Sequence, residues 1–219
     1  MKILIIVLSY NDNGGIYSQF NEIQKKTWDS INVENVETFY LYGNHDKNEI
    51  VNGDILTDVI ETGPNCGGYK TIKSFELINN LEYDYIFRTN SSSYIDKKIL
   101  NGLFSQSSTG VYAGLTSSHD NIGFVSGSGY FLSRDLVELV VKNSNLWNHN
   151  LLDDIALADL LSKFNITPTS TNHRCDVTVK NQWIPMDFYH YRFRTDYREH
   201  DIENMDYVHK LKTNYYNSL

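Results

Sequence analysis

The sequence predicts an α/β fold, and three observations carry that prediction. The chain opens on an unbroken apolar run, Ile3-Leu-Ile-Ile-Val-Leu8, the pattern of a strand buried on both faces. Strand-like and helix-like segments then alternate, as layered α/β sheets require. No repeat, low-complexity stretch or Pro-rich hinge interrupts them, since the prolines are Pro64, Pro168 and Pro185 alone.

Taken in order, Lys2 to Ser9 reads as the first strand. A helix is predicted from Tyr17 to Ser30, and strands from Val36 to Tyr42 and from Asp54 to Ile60. Gly63-Pro-Asn-Cys-Gly-Gly68 has strong turn chemistry and reads as a loop. Helical spacing of Ile72, Phe75, Leu77 and Ile78 predicts a helix from Lys70 to Leu81. Asp84 to Arg88 follows as a strand, and Asp96 reads as the N-cap of a short helix ending near Phe104. Val111 to Leu115 and Phe124 to Leu132 are further strands. Ser133 is placed to cap a helix through Val141, and Asp153-Asp154 open another through Phe164. Thr169 to Tyr191 reads as strand and loop, with a terminal helix from Asp201.

At 219 residues the chain is long enough for one sizeable core, so a single domain is expected. A net charge of −8 argues against a nucleic-acid-binding surface. Tyrosine is abundant, at 16 residues, which suits either sugar-stacking clefts or strand surfaces. Cys66 and Cys175 have neither metal nor redox spacing and read as reduced thiols. The apolar start is too short to span a bilayer and no cleavage pattern follows it, so no transmembrane segment and a cytoplasmic location are expected.

Several segments, in the same order, resemble glycosyltransferase family 31, the β-1,3-galactosyltransferase and Fringe-like enzymes. Asn21-Glu-Ile-Gln-Lys-Lys-Thr-Trp28 is similar to that family's "I-R-x-T-W" helix, with Lys25 in place of the arginine. Tyr40-Leu-Tyr-Gly43 resembles its "F-L-L-G" strand end. Gly53-Asp-Ile-Leu56 with Tyr69-Lys-Thr71 resembles its "G-D-I-L…L-K-T" pair. Arg88-Thr-Asn-Ser-Ser-Ser-Tyr-Ile95 sits where the family has "K-x-D-D-D-V-F-V". Ser126-Gly-Ser-Gly-Tyr-Phe-Leu-Ser133 is close to "S-G-G-G-Y-V-L-S", and Leu152-Asp-Asp-Ile155 resembles "E-D-V". The resemblance covers roughly residues 20 to 165. It implies a GT-A-type nucleotide-sugar-binding fold, with a mixed, mostly parallel central sheet flanked by helices. The mixed order of elements and the non-helical tail fit a donor half, mainly 1–95, followed by an acceptor half with the C-terminal tail, 96–219, in one domain.

Transfer of a sugar with inversion needs a base for the acceptor hydroxyl, and a positioned carboxylate supplies roughly 10²–10⁴-fold. The resemblance gives that role to Asp154, with Asp153 beside it. Two adjacent acids at a helix start are equally suited to capping and to the helix dipole. It implies a floor for acceptor or donor sugar at Ser126, Gly127, Ser128 and Gly129, where glycines permit close approach; a strand bulge is the alternative. Lys70 follows a glycine-rich loop and is suited to a diphosphate, or to solvent. Asp54 is a candidate for the donor's base or ribose, or a turn aspartate.

The departure from the family is at Asn90-Ser91-Ser92. A divalent cation bridging a diphosphate needs anionic oxygen ligands, and these side chains offer neutral oxygens. Three outcomes stay open: metal-independent transfer, weak Mn²⁺ or Mg²⁺ binding with Asn90 and Ser92 taking part, or a catalytically inactive sugar- or nucleotide-binding protein of the same fold. The basic, aromatic segment His190-Tyr-Arg192-Phe-Arg194 supports the first, because guanidinium groups grip phosphate bidentately. Arg88 is placed to serve likewise, and surface ion pairing is the alternative for all three arginines. His190 is a weak candidate metal ligand. No cofactor is expected to be required. The expected partners are a nucleotide-sugar donor, a UDP-sugar first, and a glycan or glycoconjugate acceptor.

Overall fold

The computed structural model describes residues 1–63, 65–104, 106, 108–171 and 173–218. Pro64, in the expected Gly63–Gly68 loop, lies outside the described residues. In chain order the strands are β1 (Ile3–Leu8), β2 (Val36–Tyr42), β3 (Glu49–Val51), β4 (Asp54–Leu56), β5 (Tyr85–Asn90), β6 (Ser93–Ile95), β7 (Tyr112–His119), β8 (Ile122–Ser133), β9 (Thr169–Ser170), β10 (Arg174–Val177) and β11 (His190–Phe193). The helices are α1 (Ile16–Lys26), α2 (Cys66–Ile78), α3 (Lys97–Asn101), α4 (Arg134–Lys142), α5 (Asp153–Ser162) and α6 (Arg198–Asn217).

The chain forms two compact units, each assembled from three separate segments. Unit 1 comprises Met1–Asn11, Glu37–Asn90 and Ser105–Asn172; unit 2 comprises Asp12–Val36, Ser91–Phe104 and His173–Leu219.

Unit 1 holds an eight-stranded mixed sheet in the order β3-β4-β2-β1-β5-β8-β7-β9. β1 lies between two neighbours and is buried from Ile3 to Val7, which explains its unbroken apolar sequence. β5 runs parallel to it, from Ile3 opposite Tyr85 to Leu8 opposite Asn90. β8 is antiparallel to both β5 and β7. The β7–β8 hairpin turns on Asp120 and Asn121, both with φ in the left-handed region that Asn and Asp tolerate. The core joins Leu4, Ile6, Leu41, Phe75, Ile86, Tyr130, Leu132, Leu157 and Leu161. α5 is apolar on most of its circumference, and its buried run from Ile155 to Ala158 packs on β8.

Unit 2 holds a three-stranded sheet, β10-β11-β6, with β10 and β11 parallel and β6 antiparallel to β11. α1 packs on α6. Trp28, Tyr94, Tyr191, Phe193 and Met205 are buried here. Two buried ammonium groups are each paired: Lys97 with Asp29 at 2.6 Å, and Lys212 with Asp96 at 2.7 Å. The other Asp96 oxygen caps α3 as expected, accepting from the Lys98 and Ile99 amides.

Several boundaries differ from expectation. α2 begins at Cys66, so Gly67 and Gly68 lie in its first turn rather than in a loop. A Cβ on Gly68 would sit 3.0 Å from the Trp147 indole nitrogen, and it is this tertiary contact that selects glycine there. The Asp54–Ile60 strand stops at Leu56, and β3 and β6 are three-residue strands too short to carry a sequence period. The first helix ends as α-helix at Lys26, and Trp28–Ser30 continues as a 3₁₀ turn. Leu152, not Asp153, is the N-cap of α5. The terminal helix starts at Arg198, before Asp201, whose carboxylate accepts from the Thr195 amide at 2.9 Å.

Candidate functional site

The predicted acid pair lies in the first turn of α5, where free backbone amides and the helix dipole favour carboxylates. The two acids differ in their surroundings. Asp153 is ion-paired with Arg88, whose side chain is 4% exposed, so that charge is neutralised. Asp154 has no basic side chain in direct contact among the described residues. Its Oδ2 accepts from the Gly127 amide at 2.7 Å and its Oδ1 from the Ile155 amide at 3.0 Å. Burial pushes the Asp154 carboxyl above the usual carboxylate range, and the Asp153 charge adds to that push. The two amide bonds and Arg88 oppose it. Arg88 Nε has no hydrogen-bond partner among the described residues, which leaves an unused donor beside the acids.

Gly127 reaches Asp154 because the β7–β8 ladder is irregular there. Gly114 pairs with Tyr130 and Thr116 pairs with Val125, so residues 126–129 face Leu115 alone. That is a bulge, and it turns the strand backbone toward α5. A Cβ on Gly127 would lie 2.9 Å from Arg88 Nη1 and 3.1 Å from Asp154 Oδ2. Ser126 and Ser128 exchange a hydroxyl hydrogen bond of 3.0 Å within the same bulge, and the Ser128 carbonyl accepts from Thr89. Gly129 pairs with Thr89 in the β5–β8 ladder. Unit 1 therefore brings Arg88, Asp153, Asp154 and Gly127 together.

Lys70 is placed differently from expectation. It lies in the second turn of α2, and its side chain is fully buried. The ammonium donates to Glu61 and to the Ser9 carbonyl, each at 2.5 Å. Burial pulls it below the ordinary lysine range and Glu61 pulls it back. Glu61, which the sequence reading missed, is the hub of this corner. Its carboxylate also accepts from the amides of Gly43 and Asn11, each at 2.9 Å, and so ties the chain after β1, β2 and β4 to α2. A Cβ on Gly43 would meet Glu61 Cγ at 2.5 Å. An acid in a polar loop gives no sequence signal for such a role. Asp54 opens β4, whereas Glu61 follows its far end, so unit 1 places these two at opposite ends of that segment.

Asn90 ends β5 in unit 1, and Ser91–Ser92 belong to unit 2. Within unit 2, Arg192 Nη1 donates to the Ser92 carbonyl at 3.1 Å and to the Phe193 carbonyl at 3.0 Å. No carboxylate forms an ion pair with Arg192 among the described residues. Burial, with Arg198, Arg174 and Arg194 nearby, pulls its guanidinium down to about 10. Arg194 is largely exposed and lies 3.6 Å from Asp176. His190 is buried, and its Nε2 meets the Ser93 hydroxyl at 3.1 Å. Burial together with Arg174 and Arg192 keeps its imidazole neutral.

The residues around Ser92 do not fit a divalent cation. The side chains of the loop are neutral, a guanidinium occupies the Ser92 carbonyl, and arginines flank His190. Among the described residues no group of three or more His, Cys, Asp or Glu side chains is placed to hold a metal ion. No helix among them is long and apolar enough to cross a membrane.

No protein-family model matches the chain, and no curated protein matches it. Solved structures do. A glycosyltransferase described as involved in the glycosylation of the major capsid of PBCV-1 matches over 94% of this chain and 100% of its own, at 13% identity and a TM-score of 0.58. The apo-form glycosyltransferase GlyE of Streptococcus pneumoniae TIGR4 matches over 77% of this chain and 44% of its own, at 9% identity and a TM-score of 0.45. The first likeness shows that this chain has the fold of a glycosyltransferase, as the sequence predicted.

Proposed function

We propose that this protein is an inverting glycosyltransferase, similar to family 31, that moves a sugar from a nucleotide-sugar donor to a glycan hydroxyl. The observation that carries the reading is the contrast within one acid pair. Asp153 is neutralised by Arg88, while Asp154 is half-buried, held by two amides and raised above the ordinary carboxylate range. A base of that kind suits proton removal from an alcohol. The acceptor oxygen gives its proton to Asp154 and forms a bond to the anomeric carbon. The bond from that carbon to the donor's diphosphate oxygen breaks, and its electron pair leaves with the diphosphate. The Ser126–Gly129 bulge supports a sugar beside this acid.

The leaving diphosphate needs positive charge, and Arg192 supplies it in this reading, whereas Arg194 lies against Asp176. Arg174 and Arg194 share Asp176 and Arg198 pairs with Asp201, whereas Arg192 is bonded to carbonyls, so Arg192 is the member of this group suited to an anion. No metal is required. Lys70 and Arg88 position their neighbours rather than grip phosphate, because each is already paired with an acid. A UDP-sugar donor, a single catalytic domain and a cytoplasmic location complete the proposal. Incubation with a panel of sugar nucleotides tests it: release of nucleotide diphosphate with an inverted anomeric product is expected. Neither turnover nor nucleotide binding with any donor would remove it.

The neutral Asn90-Ser91-Ser92 loop also favours a second reading, a catalytically inactive binder of sugar or nucleotide. Donor binding by calorimetry without any diphosphate release would select it.

A further inference from the structure

Trp183 is 81% exposed, whereas Trp28 and Trp147 are buried. It lies in the connection from β10 to β11, and that connection is tied down along its length. Gln182 accepts from the Thr178 amide at 2.9 Å and donates to the Asp176 carbonyl at 3.0 Å. Asn204 accepts from the Asn181 amide at 3.0 Å and donates to the Val179 carbonyl at 3.3 Å. Ile184 is buried directly after the tryptophan, and the Pro185 carbonyl accepts from the Tyr191 hydroxyl at 2.6 Å. Lys212 then holds the Met186 and Phe188 carbonyls. The backbone on either side of Trp183 is thus fixed, and the indole stands in solvent on a rigid support.

We propose that Trp183 is a stacking platform for a neutral pyranose ring of a glycan. A pyranose has an apolar C–H face and a rim of hydroxyls, and it suits a single flat ring with polar neighbours. The surroundings of Trp183 have that character. Thr178, Lys180 and Asn181 are exposed polar residues, and Val179 is the other exposed apolar side chain of the loop. Lys180 is paired with Glu203 at 2.6 Å, so the rim carries little net charge and favours a neutral sugar. A protein hot spot instead needs a surrounding apolar seal, which this loop lacks. The rigid backbone lowers the ordering cost of binding. The proposal rests on the glycosyl-transfer reading only for the source of the glycan, as the acceptor.

Acrylamide quenching of tryptophan fluorescence tests it directly, since the quenchable signal belongs to Trp183. Maltotriose, lactose and chitobiose serve as probes. Saturable protection by at least one is expected. Because Trp183→Ala and Trp183→Phe remove that signal, binding of the same sugar to them is read by calorimetry, where it should be lost in Trp183→Ala and return in part in Trp183→Phe. Where transfer is measurable, Trp183→Ala should raise the acceptor KM by roughly tenfold with little change in kcat. Lack of protection by all three sugars overturns the proposal. So does protection that grows with protein concentration in the absence of sugar, which would make the loop a contact between copies. Protection without any donor turnover would remove the transfer reading and leave this site standing; transfer without protection would do the reverse.

Discussion

Asp154 is where a single side chain decides most. Asp154→Asn should lower turnover by about 10²–10⁴-fold while leaving donor affinity unchanged, as steady-state rates and calorimetry would show. The same variant has a stability signature. The folded carboxyl titrates above its ordinary value of 3.8, so ionisation favours the unfolded chain. The penalty is absent well below pH 3.8, grows as pH rises through that value, and is complete above the raised folded value. Asp154→Asn should therefore melt higher than wild type at neutral pH, with the gain shrinking as pH falls toward 3.8. A variant that is less stable at neutral pH would contradict this. Gly127→Ala brings a methyl to 2.9 Å from Arg88 and 3.1 Å from Asp154. Overpacking of that kind costs about 1–3 kcal/mol in stability, and a displaced base should cost activity by roughly 10²-fold, read as kcat. The acid pair and Gly127 were legible in the sequence, because carboxylates at a helix start and glycines in a strand are local patterns. The ion pair that divides the labour between Asp153 and Asp154 was not. Arg88 and Asp153 are far apart in the chain and meet only through the fold.

Among the elements, α2 shows how a local reading can misplace a function. Gly67-Gly68 is read as a loop because glycine is a poor helix former. The helix nevertheless runs through both, and at Gly68 the Trp147 indole approaches where a side chain would intrude. That shift buries Lys70 against Glu61 and leaves no exposed ammonium at the helix start. Lys70→Ala would strand a buried carboxylate and should destabilise the protein by about 3–5 kcal/mol, measurable by urea unfolding. Lys70→Met with Glu61→Gln should recover a large part of that loss. An unchanged midpoint for Lys70→Ala would show that the pair is not the corner's tie. The Ser126–Gly129 bulge is the counterpart case: a strand interruption could be read from its glycines, but its partner helix could not.

For the whole molecule, a net charge of −8 makes a local excess of positive charge notable, and Arg174, Arg192, Arg194 and Arg198 form one even with Asp176 and Asp201 ion-paired to three of them. If Arg192 meets the leaving diphosphate, a chelator should leave turnover unchanged, and Arg192→Ala should lower it by roughly tenfold or more, with manganese giving no rescue. Activity lost to chelator and restored by manganese would contradict the proposal. The sequence by itself determined the α/β class, the order of nearly all the long elements, the acid pair at a helix start and the neutral loop at Asn90–Ser92. Those are properties of period, capping and side-chain chemistry, all read within a few residues. Only the tertiary structure decided that each compact unit is assembled from three separate segments, that Lys70 and Arg88 are neutralised by acids, and that Arg192 reaches the Ser92 carbonyl. These pairings join residues distant in the chain, and burial decides which charges must find a partner, so no local pattern records them.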